Sequence, residues 1–295
     1  MTSASTAPRR PAPAVPTPPL RPVRALPGPR GRLGTAYAVA TGLAVAGGKI
    51  TLAVWLAVCV GVAAIEACRS WRGRDIRPAP LTAIVGGFAV TLASAGGWIP
   101  WLVLVVAAAA LALAPVGRAT VSDLGRRARA VGELARWRPG AALPAALVAP
   151  PGPPVASAWL TAGLASGLGA AAGAVVLTRQ ASVTAVAVLL ALAWVHDASR
   201  YVVGWGAPAA WEGAAAGVAA IGAATLGLAV VQPSPLTGSA PWLAGLAAAA
   251  LVPLGPSVAG ALVGDRDARV PALRQLDSLL VIAPVWMLVT RVAGW

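Results

Sequence analysis

The chain has 295 residues, 58% of them hydrophobic and only 11% charged, with a mean hydropathy of +0.77. That balance excludes a soluble globular domain and requires transmembrane helices. The formal net charge of +14 comes almost wholly from Arg in short tracts between apolar runs, with Lys49 the only lysine. It argues against nucleic acid as a partner and for membrane helices anchored by cytoplasmic positive charge.

Residues 1–33 are rich in Pro and carry six Arg and no acid, which predicts a cytoplasmic tail with no helix and nothing to bury. A cleaved signal peptide is not expected, because the first apolar run starts late and many more follow. Residues 34–295 then read as one all-α polytopic membrane domain. Nine apolar segments lie at 34–49, 50–67, 81–97, 99–117, 155–177, 181–196, 213–231, 240–263 and 278–294. Several are close to the length of about 17 residues needed to cross the hydrocarbon core.

The connections set the expected orientation. Arg69, Arg72, Arg74 and Arg77 follow the second segment; Arg118, Arg126, Arg127, Arg129, Arg136 and Arg138 follow the fourth; Arg266, Arg269 and Arg274 follow the eighth. The alternate connections, around Lys49, Trp98–Trp101, Arg179 and 232–239, hold almost no charge. The positive-inside rule then puts the N-terminus in the cytoplasm and the C-terminus outside, in a plasma membrane crossed nine times. Trp98, Trp101 and Trp242 are expected at one interface, and Trp71, Trp137, Trp205 and Trp211 at the other. Cys59 and Cys68 read as small packing residues.

Five of the nine acidic residues fall in the last hundred positions, all at the predicted cytoplasmic ends. Asp197 ends the sixth segment, Glu212 opens the seventh, Asp265 and Asp267 follow the eighth, and Asp277 opens the ninth. A carboxylate costs about 2.5–3.5 kcal/mol at the centre of a membrane helix, so acids kept beside apolar spans point to function. Carboxylates converging near Arg suit Mg²⁺ and phosphate chemistry. The competing reading is solvated charge paired with neighbouring Arg. Asp123 and Glu133 are assigned to it, and Asp267 stands between the two. His196, the single histidine, adjoins Asp197, which leaves open an acid–base role or an interfacial polar residue bonding lipid or backbone.

Three stretches resemble the phosphatidate cytidylyltransferases (CDP-diacylglycerol synthases), most closely those of actinobacteria. Residues 190–213, LALAWVHDASRYVVGWGAPAAWEG, are similar to the family segment in which an Asp ends an apolar helix and a Trp-Glu-Gly element follows. Residues 258–289 are similar to the C-terminal signature that begins Gly-Asp and ends Asp-Arg-x-Asp-Ser before the last helix. Residues 62–88 are similar to the second-to-third helix connection. The resemblance implies a Mg²⁺-dependent reaction of CTP with phosphatidate, giving CDP-diacylglycerol and pyrophosphate for phospholipid biosynthesis. It implies catalytic roles for Asp197, Asp265 and Asp277, metal ligation by Asp197 and Asp277, and substrate contacts from Tyr201, Trp211, Glu212, Arg274 and Ser278. It also allows a homodimer. The chain departs from the family at Ala209-Ala210, where basic and hydroxyl residues are usual. It departs again at Arg274-Gln275, which replace Asp-Arg, and this exchange inverts local charge. Arg274 would then bind phosphate directly. The alternative is a non-catalytic relative that binds anionic lipid or a partner subunit.

Overall fold

A computed structural model describes residues 29–71, 74, 76–114, 153–205, 207, 209–264 and 269–292, and among these there is no strand. The Arg-rich connection with Asp123, Glu133 and Trp137 lies outside the described residues, as do Arg72, Arg266, Asp265 and Asp267.

The helices are α1 (Pro29–Ala46), α2 (Lys49–Ser70), α3 (Pro80–Ala93), α4 (Trp98–Ala114), α5 (Pro153–Ala162), α6 (Leu168–Ala181), α7 (Val183–Gly204), α8 (Ala210–Val231), α9 (Ala240–Leu251), α10 (Gly255–Ala261), α11 (Pro271–Leu276) and α12 (Leu279–Val292). A π-helical turn, Gly163–Gly167, joins α5 to α6 without a break. Each of the nine predicted apolar segments contains helix among the described residues. Six helices are long and apolar enough to cross a membrane, and three shorter apolar ones cover Leu33–Ala46, Pro80–Gly96 and Trp98–Ala114. The chain is an all-helical membrane protein. Helix α1 starts at Pro29, inside the tail expected to reach residue 33. No proline follows until Pro78, and a proline at the first helical position costs no hydrogen bond.

Helix α6 is the axis of the bundle, touching α2, α3, α7 and α12. The Val155–Ala181 span is 72% buried, against 17% for Trp211–Val231 on the outside. Small residues make that density possible. A Cβ on Gly169 would come within 2.8 Å of Val90 and 2.9 Å of the Gly87 carbonyl, so α6 and α3 meet backbone to backbone. Trp101 is 9% exposed and packs inside the bundle, because its indole lies over Gly173 of α6, which leaves room for it. Trp98, Trp205, Trp211 and Trp242 are exposed.

Hydrogen bonds sort the helix ends into two sets. At one end Trp71 Nε1 donates to Leu262 O (3.0 Å), Gly264 N to Ser70 Oγ (3.0 Å), Ala79 N to Thr161 Oγ1 (2.9 Å) and Ala272 N to Glu66 Oε2 (2.9 Å). At the other, Arg179 Nε donates to Val45 O (3.0 Å) and Gln180 Nε2 to Ser94 O (2.6 Å). The first end gathers the C-terminus of α2 and the N-termini of α3, α5 and α11, which carry the described Arg-rich connections.

Candidate functional site

Helix α7 delivers Asp197 near its C-terminal end, and the junction of α11 with α12 delivers Asp277 and Ser278. Ser182 opens α7, its hydroxyl accepting from Ala185 N at 3.1 Å. Leu189, Leu190, Leu192 and Ala193 then bury one face against the bundle, which fixes the rotation of the helix and brings Asp197 toward α12. The α11–α12 junction is held from the other side. Gly255, at the start of α10, lies so close to the Asp277 carbonyl that any side chain there would collide with it.

The two carboxylates meet at one hydroxyl. Ser278 Oγ donates to Asp197 Oδ1 at 2.5 Å and also faces Asp277 Oδ1 at 3.4 Å. Asp277 and Ser278 are buried, whereas the Asp197 side chain remains 34% exposed, so the pair opens outward on the Asp197 side. A buried carboxylate needs compensation. Arg274 Nη1 stands 4.0 Å from Asp277 Oδ2, and Arg200, almost one turn past Asp197, adds a second nearby positive charge. Arg274 is 40% exposed, so its pairing with Asp277 is loose and solvent-screened.

His196 sits behind Asp197. Its Nδ1 is 3.1 Å from Asp197 Oδ1, and the residue is fully buried rather than interfacial. The ring packs on Gly217 of α8, where a Cβ would lie 2.5 Å from Cδ2. Among the described residues Nε2 has no hydrogen-bond partner. A carboxylate oxygen accepts, so the tautomer that makes this bond carries its proton on Nδ1. Asp197 Oδ1 thus takes two hydrogen bonds while Oδ2 takes none among the described residues.

The other expected site residues fall elsewhere. Tyr201, one turn beyond Asp197, packs edge-on against Trp205 with centroids 5.2 Å apart, and its buried hydroxyl has no hydrogen-bond partner among the described residues. Glu212 accepts from Ala209 N at 3.3 Å and caps its own helix α8, a role open to Glu at the third helical position. Trp211 is 69% exposed. Asp265 and Asp267 lie outside the described residues. The arrangement therefore unites Asp197, Asp277, Ser278 and Arg274 and leaves Glu212 and Trp211 apart.

Glu66 was not singled out from the sequence. It leaves the end of α2 and takes the N–H groups of Ala272 (2.9 Å) and Leu273 (3.4 Å), satisfying two orphan donors of α11. Its signal was available: it is an acid inside an apolar segment.

Among the described residues, no group of three or more His, Cys, Asp or Glu side chains is arranged to hold a metal ion. Two carboxylates sharing a hydroxyl nevertheless fit the protein's part of a Mg²⁺ site. That ion commonly takes one or two carboxylates and completes its shell from water and substrate phosphates. No protein-family model, curated protein or solved structure matches this chain.

Proposed function

We propose that this protein is a Mg²⁺-dependent cytidylyltransferase that joins CTP to phosphatidate, releasing pyrophosphate and forming CDP-diacylglycerol. In this reading the chain crosses the plasma membrane nine times from a cytoplasmic N-terminus, and the site opens on the cytoplasmic side. The observation that carries it is the Ser278 hydroxyl between Asp197 and Asp277, which brings acids from two separate helices together at the Arg-bearing end.

A phosphate oxygen of the lipid would attack the α-phosphorus of CTP, and the bond to the bridging oxygen of the β-phosphate would break, so that pyrophosphate leaves. Such transfers need positioning and charge neutralisation more than covalent help. Asp197, with Oδ2 free, and Asp277 would hold Mg²⁺, which when bound neutralises phosphate charge. Arg274 and Arg200 would screen the remaining negative charge on the phosphates. Ser278 and His196 keep Asp197 Oδ1 engaged and so fix the direction of Oδ2.

The test is direct. Purified full-length protein given labelled CTP, phosphatidate and Mg²⁺ is expected to form CDP-lipid, and Asp277→Asn is expected to abolish it. No product, beside an active control enzyme in the same detergent, overturns the proposal. The same result would favour the non-catalytic reading, whose support is Arg274 facing Asp277 Oδ2 where the resembled signature has a carboxylate.

A further inference from the structure

A second polar feature lies apart from the carboxylate pair. A cavity of about 430 Å³ opens between the C-terminal end of α2 and the approach to α11, lined by Glu66, Arg69, Ser70, Arg269, Val270 and Pro271. Among its described lining residues positive charge exceeds negative. Glu66 is the only acid among them and lies near Arg69, and its Oε2 accepts from the backbone N–H groups of Ala272 and Leu273. Among the described residues, no carboxylate lies within ion-pair distance of Arg69 or Arg269.

The walls are built. Ser70 Oγ receives Gly264 N at 3.0 Å, and Trp71 Nε1 reaches Leu262 O at 3.0 Å, so the end of α2 is tied to the end of α10. Gly264 packs directly on this turn, where a Cβ would fall 2.7 Å from Ser70 O. Val270 is buried and anchors the other wall. The two guanidinium groups thus come from segments far apart in sequence, Arg69 on the end of α2 and Arg269 beside the buried Val270.

We infer that this cavity binds a phosphate group through Arg69 and Arg269, as a resident and non-reacting site. Planar guanidinium matches phosphate in a two-bond fork, and both arginines are exposed, where an arriving anion can reach them. The cavity lies at the end of an apolar helix and mixes arginines with Val270 and Pro271. That setting suits the headgroup phosphate of an anionic membrane lipid, while a free phosphate ion offers the same chemistry. A phosphate held there would bridge α2 to the segment leading into α11. That short helix carries Arg274 and ends at Asp277, so occupancy would brace the carboxylate site from a distance.

The site does not depend on the reaction proposed above, and its test separates the two. The full-length protein in neutral detergent would be examined by native mass spectrometry for retained lipid and by thermal unfolding. The additions would be phosphatidylglycerol, phosphatidylcholine or inorganic phosphate. Wild type is expected to retain phosphatidylglycerol at least tenfold more tightly than phosphatidylcholine. Asp277→Asn and Arg291→Gln should keep that preference, and Arg69→Gln/Arg269→Gln should lose it. The milder Arg69→Lys/Arg269→Lys, which keeps charge but not the fork, is expected to fall between and guards against misfolding of the Gln variant. A rise in unfolding temperature with inorganic phosphate alone, lost in the double Gln variant, supports the site with a free ion as occupant. A response only to phosphatidylglycerol supports the lipid headgroup. Wild type without preference and without response to phosphate, or a folded double variant that binds as wild type does, overturns the inference.

Discussion

The hydroxyl of Ser278 donates to Oδ1 of Asp197 across 81 positions of sequence, at 2.5 Å. It is the described side-chain bond that ties α7 to the α11–α12 junction at the carboxylate pair. Ser278→Ala is expected to cost about 1 kcal/mol of stability, the net worth of one such bond, with more if Asp277 is left less well compensated. CDP-lipid formation is expected to fall at least tenfold, because Asp197 is then free to turn. Thermal unfolding and the cytidylyl transfer assay together check this.

His196 offers a sharper contrast. The role of its Nδ1 is to donate to Asp197, and an Asn side chain places its amide nitrogen near the same position. His196→Asn should therefore retain most transfer activity, whereas His196→Leu should lose it with a similar expression level. Gly217→Ala should resemble His196→Leu, because a methyl group would push the ring away from α8. Overpacking of this kind commonly costs about 1–3 kcal/mol, readable as a lower unfolding temperature.

Glu66 is expected to matter for stability first. Glu66→Ala removes the acceptor for two amides of α11 and should cost about 0.5–2 kcal/mol, as loss of a helix cap does. Glu66→Gln keeps a carbonyl oxygen and should recover part of the loss. Unfolding curves of the three proteins decide this.

Gly255→Ala tests the support behind Asp277. Its new methyl would strike the Asp277 carbonyl, so the α11–α12 junction must move. Stability and transfer activity are both expected to drop, whereas Gly260→Ala, with open space around it on the same helix, should be close to neutral.

Much of this architecture was legible because it depends on local composition. Apolar runs broken by Arg tracts read as helix, and among the described residues six of these helices are long and apolar enough to cross a membrane; hydrophobic length needs no tertiary knowledge to be read. Asp197 and Asp277 were legible as a pair because charge is scarce here and their helix ends fell on one side. The packing of Trp101 inside the bundle was not legible, because its partner Gly173 is distant in sequence. Glu212 was read with the site, yet its carboxylate turns back on Ala209. The spacing was compatible with both, and only geometry separates a cap from a ligand. Glu66 was passed over because its partners are backbone amides more than two hundred positions away, which no local pattern reveals.

The spans differ widely in burial. Around α6, glycines bring neighbouring helices into direct contact. Helix α8 packs on α7 and α9, with Gly213 and Gly217 set directly against α7, and turns most of its surface outward. Since α8 also covers His196 through Gly217, a displacement of α8 from α7 would reach Asp197 through the His196 ring. Helix α8 thus acts as a clamp on the carboxylate.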